Sequence, residues 1–423
     1  LVIARQGREG EVQRIFDKWG LNAAVIGRVT DDGMLTIRDG DVIVGQVPAK
    51  ALAEQAPLRH PEAVRPAWQD NLLNLDVTLL PQQDDWTGTL TALLGTPTIA
   101  SKEWVYRQYD SVVRTNTVIG PGSDAAVLRV GGTDHGIALT IDGPGRMCLL
   151  DPATGAAMAV AEAARNLVCS GAKPLALTDC LNFGNPEKPE VFWQFSQAVK
   201  GMSEACRKLG IPVIGGNVSF YNETGASAIV PTPVVGMVGV VKDLAHICRQ
   251  GFGESGSVVV LLGANTDELG GSEYVRLATG RTAGRVPLLD LEREKEVQEL
   301  CLTGIRRGLI RSAHDVSDGG LGVTLAESCI SGQTGADCSL PAGIRPDALL
   351  FGEAPSRIVV TVGAGDLQAL VDAAVEMGVP LAVLGTTGGA LLNIDVSGKS
   401  LVRAPVVDLA AAWSGSLPQV MNI

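Results

Sequence analysis

The chain contains an internal repeat, in which residues 1–52 resemble residues 357–423. Glycines and apolar residues match at a constant offset of 358, and two further positions match after a one-residue gap. Several glycines and prolines in register favour a duplication over a chance match. The matched pairs are Gly7 with Gly365, Gly20 with Gly378, Val25 with Val383, Gly27 with Gly385, Pro48 with Pro405 and Leu52 with Leu409.

Each copy of the repeat is predicted to form a strand, a helix, a second strand and a short hairpin, because its apolar residues follow those periods. Only the tail of a first copy is present, so we expect roughly 300 residues of a longer protein to precede Leu1. The predicted strands are Val2–Ala4, Ala23–Ile26, Ile358–Val362 and Leu381–Leu384, and the predicted helices cover Val12–Phe16 and Leu367–Val375.

The rest of the chain divides into a linker and two larger domains. Residues 1–52 form the tail of the first copy, and residues 53–105, which hold Pro57, Pro61 and Pro66 and many polar residues, are predicted to be an extended linker or a wrapping segment. Residues 106–242 and 254–413 are predicted to form one domain each. Hydrophobic residues make up 46% of the chain and it has 51 glycines, which is typical of an α/β (α+β) protein with tight turns.

Charge and cysteine usage exclude several classes of protein. The formal net charge of −12 argues against a nucleic-acid binder, which needs a basic surface. Eight scattered cysteines without a CxxC pair match neither a zinc site nor a disulfide framework, so buried thiols in a reducing cytoplasm are expected. The longest apolar runs, such as Val258–Leu262, are too short to span a bilayer, and we expect no membrane association.

Acids beside glycine-rich turns suggest a first group of site residues. Asp124 lies in the glycine-rich turn Gly120–Leu128, and Asp142 ends the next predicted strand. Carboxylates in such positions suit a site for Mg²⁺ and phosphate, although capping of the turn explains Asp124 equally well. Glu162 and Asn166 are four residues apart on a predicted helix, where they offer oxygen ligands or form a solvated face.

A similar pattern occurs in the last domain, at the junction of an apolar strand and a helix. Asp315 and Ser317 are two residues apart on that strand end, and glycines follow at the start of the helix, which is a natural site for an anion. The neighbouring His314 is either a general base or, as we expect, a structural histidine that makes hydrogen bonds.

A second group of candidates lies at two further strand ends. Asp179 follows the predicted strand Pro174–Leu177, in the position where α/β folds place contacts to ligands. Gly216 would let a ligand approach the backbone, and Asn217 and Ser219 would share one face of a strand. A plain turn explains the glycine nearly as well.

Taken together, these residues resemble the second half of the small-type synthetase subunit of phosphoribosylformylglycinamidine synthase. That family belongs to the ATP-binding superfamily of aminoimidazole ribonucleotide synthetase, and the resemblance covers essentially the whole chain. The most specific segment is Asp179–Pro189. The other matching segments are Gly120–Leu128, Leu150–Pro152, Glu162–Asn166, Gly216–Asn222, Leu269–Tyr274 and His314–Leu321.

The resemblance implies two copies of a two-domain module, of which this chain would hold the second copy and the tail of the first. The implied reaction uses ATP, Mg²⁺ and ammonia to convert formylglycinamide ribonucleotide to its amidine in purine biosynthesis. The implied partners are a glutaminase subunit that supplies ammonia, a small bridging subunit and the missing N-terminal half. The family's catalytic histidines would lie in that half, so the chain alone is expected to be inactive.

The resemblance also assigns roles to matching residues. Asp179 and Gly216 would contact ATP, Asn217 would bind Mg²⁺ and Ser219 would contact the substrate. A secondary nucleotide and Mg²⁺ site would use Asp124, Glu162, Asn166, Asp315 and Ser317.

One segment departs from the family pattern. The family's Glu-Ser-Gln-Ser-Arg is replaced by Glu353–Arg357 with Ala354 and Pro355, which removes a hydroxyl and a backbone donor and predicts fewer polar contacts there. The alternatives to an amide-activating ligase are a non-catalytic nucleotide-binding scaffold module and another kinase or synthetase of the same superfamily.

Overall fold

The computed structural model describes residues 1–225 and 227–421, which form two compact units, Leu1–His60 and Pro61–Ile423. The α-helices are α1 Glu9–Lys18, α2 Ala49–Ala53, α3 Gln69–Leu73, α4 Trp86–Leu94, α5 Glu103–Tyr106, α6 Gly145–Leu150, α7 Pro152–Cys169, α8 Pro189–Leu209, α9 Glu273–Thr279, α10 Leu291–Arg306, α11 Gly320–Gly332, α12 Pro346–Phe351, α13 Leu367–Glu376 and α14 Val406–Val420. The strands are β1 Met34–Asp39, β2 Val42–Pro48, β3 Thr117–Ile119, β4 Ala126–Arg129, β5 Gly136–Asp142, β6 Lys173–Asn182, β7 Val213–Ser219, β8 Glu223–Thr224, β9 Ser227–Ala228, β10 Thr232–Val241, β11 Val258–Leu262, β12 Ile310–Asp315, β13 Ala336–Leu340, β14 Ile358–Val362, β15 Leu381–Thr387, β16 Leu391–Val396 and β17 Lys399–Pro405.

The repeat is visible in the order of the elements. In the first unit, α1 is followed by the antiparallel hairpin β1–β2 and by α2. In the larger unit, α13 is followed by the antiparallel hairpin β16–β17 and by α14, each 357 or 358 residues later in the chain. Helix and hairpin therefore form in both copies, as the duplication predicts.

The two strands predicted in the first copy do not form. Val2–Ala4 and Ala23–Ile26 have no regular structure, whereas their counterparts β14 and β15 are strands. The reason is pairing: β14 and β15 both pair with β11, which lies between them, and not with each other. The described residues of the first unit include no counterpart of β11, so these two segments have no strand to pair with in that unit.

A six-stranded sheet occupies the first half of the larger unit. Its order is β3-β4-β5-β10-β6-β7, and all pairs are antiparallel except β6 with β7. Helices α7 and α8 cover one face and bury Ala and Val side chains against the strands. The other face leaves apolar side chains exposed, among them Leu139 and Ile141 of β5.

A seven-stranded sheet occupies the second half and is covered on both faces. Its order is β12-β14-β11-β15-β13-β16-β17, with β13 and β16 parallel. Because both faces are covered, the interior strand β11 is buried along its whole length. Helices α10 and α13 pack on one face, and α4, α11, α12 and α14 pack on the other. The two helix-covered sheets confirm the predicted α/β class.

The segment predicted as a linker or wrapping segment contains a buried helix. Trp86, Leu90, Leu93 and Leu94 of α4 join the core beside the seven-stranded sheet. Before α4, the Gln69 side chain donates a buried 2.6 Å hydrogen bond to the Leu150 carbonyl. Residues 61–105 therefore wrap around the larger unit and form part of its core rather than an extended linker.

Among the described residues, no helix is long and apolar enough to cross a membrane.

Candidate functional site

The larger unit contains a cavity of about 930 Å³ on which four of the five residues predicted for the secondary site converge. Asp124 and Ala125 line it from the turn before β4, and Asn166 lines it from α7. Asp315 and Ser317 line it from the end of β12 and the following loop. The volume lies in the range of small-molecule sites.

Local structure explains why these side chains meet. The turn before β4 uses Gly122 with φ +90°, and the Thr140 hydroxyl of β5 donates to the Asp124 carbonyl at 2.9 Å. Asp315 is the last residue of β12 and pairs with Ile358 of β14. The Thr324 hydroxyl of α11 donates to the Asp315 carbonyl at 3.2 Å, which fixes the strand end against that helix.

The donor set of the cavity fits a divalent cation. Carboxylate oxygens of Asp124 and Asp315 lie within 4.8 Å of each other, beside His314. Asp124 Oδ2 and Asp315 Oδ2 are buried and have no hydrogen-bond partner among the described residues. Asp142 does not line the cavity but follows Ile141, which does, and its Oδ2 is likewise buried without a partner among the described residues. A buried carboxylate oxygen without a partner is costly, and a hard cation such as Mg²⁺ prefers such oxygens.

Glu162, the fifth predicted residue, lies beside this cavity rather than on it. It lines a small neighbouring cleft together with Arg165, Ser317, Asp318 and Glu353. Its carboxylate is 3.7 Å from the guanidinium of Arg165. One turn of α7 therefore directs Asn166 into the cavity and Glu162 into the cleft next to it.

The acids of the site perturb one another. Burial raises the pKa of Asp142 to about 8, with the charges of Asp318 and Asp315 adding to the effect. Burial and then the charge of Asp124 raise the pKa of Asp315 to about 7, although Arg165 opposes this. Burial, followed by Asp142 and Asp315, raises the pKa of Glu162 well above its ordinary value. Groups with such shifted pKa values concentrate at functional sites.

His314 makes the hydrogen bonds expected of a structural histidine. Its Nδ1 is 2.6 Å from Asp124 Oδ1, and its Nε2 is 3.2 Å from Glu327 Oε2. Burial alone would lower the pKa of His314, but Asp124 and Glu327 outweigh it and raise the pKa well above 6.5. With a carboxylate at each ring nitrogen, His314 is an imidazolium that orients Asp124, so it is neither a general base nor a metal ligand in this state.

We expect the metal-free protein to lose stability as the pH rises from 5 to 8. Asp142, Asp315 and His314 all have folded-state pKa values above those of the unfolded chain. In that range the folded state therefore binds more protons than the unfolded state, and the free energy of unfolding falls with pH. Thermal melts at several pH values, with and without Mg²⁺, measure this. Mg²⁺ should stabilise the protein more at pH 8 than at pH 5, and an equal effect at both would contradict the assignment.

The second predicted group lies on the neighbouring strands β6 and β7. Strand β6 continues beyond the predicted end at Leu177, so Asp179 lies within it and opposite Gly216 of β7. A Cβ at Gly216 would lie 2.3 Å from Asp179 Oδ1, so only glycine fits there. Asn217 is exposed, and the Asn222 amide donates to the Ser219 hydroxyl at 3.1 Å. These four residues do not line the large cavity.

The segment Glu353–Arg357 makes more polar contacts than its sequence predicts. Glu353 Oε1 accepts hydrogen bonds from the backbone N–H groups of Gly319 and Glu273, both at 2.8 Å. The Ser356 hydroxyl donates to Glu294 Oε2 at 2.7 Å. The prediction of fewer contacts was wrong because the side chains that the segment retains, Glu353, Ser356 and Arg357, make them.

Two features of the site were missed by the sequence analysis. Arg146 of α6 joins the two halves of the unit, with Nε 2.7 Å from Glu273 Oε1 and a further contact to Asp318. Its partners are more than 120 residues away along the chain, so no local pattern could reveal them. Lys102 lines the cavity from the wrapping segment, and Tyr106 lines it directly after that segment.

Family models match both halves of the larger unit. Residues 122–241 match the AIR synthase related protein, N-terminal domain, and residues 254–391 match its C-terminal domain. Together they cover more than half of the chain. The chain belongs to the AIR synthase related family.

Curated relatives of this AIR synthase related chain match along its whole length. The phosphoribosylformylglycinamidine synthase subunit PurL of Moorella thermoacetica is 51% identical over 421 residues, which are 100% of this chain and 57% of the relative. PurL of Thermoanaerobacter sp. (strain X514) is 46% identical over 422 residues, 100% of this chain and 58% of the relative. The chain thus spans somewhat more than half the length of these relatives.

Solved structures share the fold at low sequence identity. T. maritima PurL complexed with FGAR superposes with a TM-score of 0.64 at 20% identity, covering 80% of this chain and 56% of that chain. T. maritima PurL complexed with AMPPCP superposes with a TM-score of 0.61 at 24% identity, covering 92% of this chain and 55% of that chain. These likenesses establish the fold of the AIR synthase related chain.

Proposed function

We propose that this chain is part of the synthetase subunit of a phosphoribosylformylglycinamidine synthase. The observation that carries the proposal is the identity of 46–51% to PurL proteins along the whole chain. The complexes of T. maritima PurL with FGAR and with ATP support a nucleotide and formylglycinamide ribonucleotide as ligands. The structure of T. maritima PurLQS supports assembly with further subunits, for which we propose a glutaminase and a small bridging subunit.

In the proposed reaction, ATP transfers its terminal phosphoryl group to the amide oxygen of formylglycinamide ribonucleotide. Ammonia then attacks the carbon of the resulting iminophosphate, and phosphate leaves as the amidine forms. The matching residues would act at one face of this site: Asp179 and Gly216 toward ATP, Asn217 toward Mg²⁺ and Ser219 toward the substrate. The opposite face and the catalytic histidines would come from the N-terminal half, so the chain alone would not turn over.

For the large cavity we propose a nucleotide and Mg²⁺ site that this chain holds by itself. Asp124 and Asp315, together with Asp142 beside the cavity, would hold the cation through their unpartnered oxygens, and Asn166 and Ser317 would contact the nucleotide. Bound Mg²⁺ would neutralise these carboxylates and the phosphates. Glu162 would support the site from the neighbouring cleft.

We infer the same division into domains as the sequence predicts, with residues 106–242 and 254–413 as the two halves of one module. The two sheets, which span residues 117–241 and 258–405, support it, and so do the limits of the two family models. The exposed apolar face of the six-stranded sheet would be covered by the N-terminal half of the longer protein.

Calorimetric titration with Mg-ADP and Mg-ATP tests the cavity proposal. We expect saturable binding by the wild-type chain and none at millimolar nucleotide by Asp315→Asn, because the mutation removes a carboxylate that faces the cation. At 100 times its dissociation constant, the nucleotide should stabilise the fold by about 2.7 kcal/mol. Asp372→Asn, the same change at an exposed position of α13, is the control. Wild-type affinity in Asp315→Asn would place the nucleotide elsewhere, and absence of binding by the wild type would refute the cavity proposal.

A further inference from the structure

A buried arginine lies behind the acids of the large cavity without pairing closely with them. Arg165 follows Glu162 on α7 and is 1% exposed. Its Nη2 is 3.5 Å from Asp315 Oδ2 and 3.7 Å from Glu162 Oε2, and the Asp315 oxygen has no hydrogen-bond partner among the described residues. A guanidinium normally closes on a neighbouring carboxylate with two bonds of about 2.8 Å. Another group must therefore hold the Arg165 guanidinium away from Asp315.

Glu294 of α10 provides that restraint. Its Oε2 accepts a 2.9 Å hydrogen bond from Arg165 Nη1, and Glu294 is itself fully buried. Ser356 donates to the same oxygen at 2.7 Å, and Gln298 donates to Oε1 at 2.7 Å. Each oxygen of Glu294 is thus fixed by another side chain, so the carboxylate is a rigid anchor. Glu294 does not line the large cavity.

We propose that Glu294 is a positioning residue that holds Arg165 away from Asp315, so that Asp315 Oδ2 stays free for a divalent cation. The arginine still lies close enough to offset part of the negative charge of the cluster. It does not occupy the position of the metal. This inference rests on the proposed function of the cavity as a cation site.

The role predicts a specific consequence of removing the anchor. In Glu294→Gln the side chain keeps its shape but loses its charge, and the guanidinium is free to turn toward Asp315 and Glu162. The arginine would then compete with the metal for Asp315 Oδ2. Changes behind metal ligands typically weaken metal affinity about 10–100-fold, and we expect a loss in this range.

The test is a titration with Mn²⁺ alone, in which electron paramagnetic resonance measures the concentration of the free ion. We expect Glu294→Gln to bind Mn²⁺ at least about tenfold more weakly than the wild type. In an Arg165→Met background the same change should cost less than about twofold, because the restrained group is gone. Glu299→Gln, an exposed glutamate on the same helix, is the control.

Each outcome decides the question. Wild-type affinity in Glu294→Gln overturns the inference, and so does an equal loss in the wild-type and Arg165→Met backgrounds, which would indicate a role in the fold. If Glu294→Gln does not fold, Ser356→Ala, which loosens the anchor but keeps both charges, should show the same loss at smaller size, and unchanged affinity there overturns the inference. A wild-type chain that binds no Mn²⁺ refutes the proposed cation site, and with it this inference.

Discussion

Replacing Leu93 with alanine should lower the free energy of unfolding of the larger unit by about 2–5 kcal/mol. Leu93 is fully buried on α4 and belongs to the same cluster as Phe351 of α12 and Leu401 of β17. Removing three carbon atoms there leaves a cavity that a close-packed core fills only in part. The effect would be large for a segment whose sequence suggests an extended linker or a wrapping segment.

Urea denaturation of the chain, monitored by tryptophan fluorescence, measures the change. Leu79→Ala is the matched control, because Leu79 lies in the same wrapping segment but is 78% exposed. That variant should change stability by less than about 0.5 kcal/mol. If both variants behaved alike, α4 would not be packed as the structure has it.

Replacing Asp142 with asparagine should stabilise the metal-free protein and weaken its affinity for Mg²⁺. The Asp142 carboxyl has a buried oxygen without a partner, and its pKa is raised to about 8 by burial and then by neighbouring acids. At pH 8 the Asp142 carboxyl is therefore ionised in about half of the molecules, and asparagine lacks this buried charge. Relief of such a charge is worth about 1–3 kcal/mol, and loss of the oxygen should reduce metal affinity about 10–100-fold.

Chemical denaturation at pH 8 without metal, together with a Mg²⁺ titration, measures both effects. Asp134→Asn, an exposed aspartate just before β5, is the control and should change neither quantity. If Asp142→Asn lowered both the stability and the affinity for Mg²⁺, the carboxylate would serve a protein partner. A gain in stability combined with a loss of Mg²⁺ affinity would show that the metal-free site stores strain that the cation relieves.

The sequence predicted the buried strand β14 well, whereas it left residues 53–105 open between an extended linker and a wrapping segment, for one physical reason. The predicted strand Ile358–Val362 coincides with β14, because a strand covered on both faces needs continuous apolar residues. The residues of α4 are apolar too, but prolines and polar residues surround them. Their burial depends on α11, α12 and α14, which lie far away in sequence.

The candidate cavity was predictable in part. Asp124 and Asp315 stand beside glycine turns, a pattern that sequence displays directly. The roles of Arg165 and Glu294 were not predictable, because the two residues are 129 positions apart and each looks like an ordinary charged residue of a helix. Glycine-acid turns indicate where ligands approach, whereas the groups that orient those acids are brought in by tertiary packing.

The position of β11 also has a consequence for synthesis of the chain. Both neighbours of β11 are made later, and β14 is complete only about 100 residues after β11. At translation rates of about 5–20 residues per second, the strand waits about 5–20 s with both hydrogen-bonding edges open. Five consecutive Val and Leu residues form a strongly aggregation-prone segment during that interval. We therefore expect the nascent chain to depend on chaperones between the emergence of Leu262 and that of Val362.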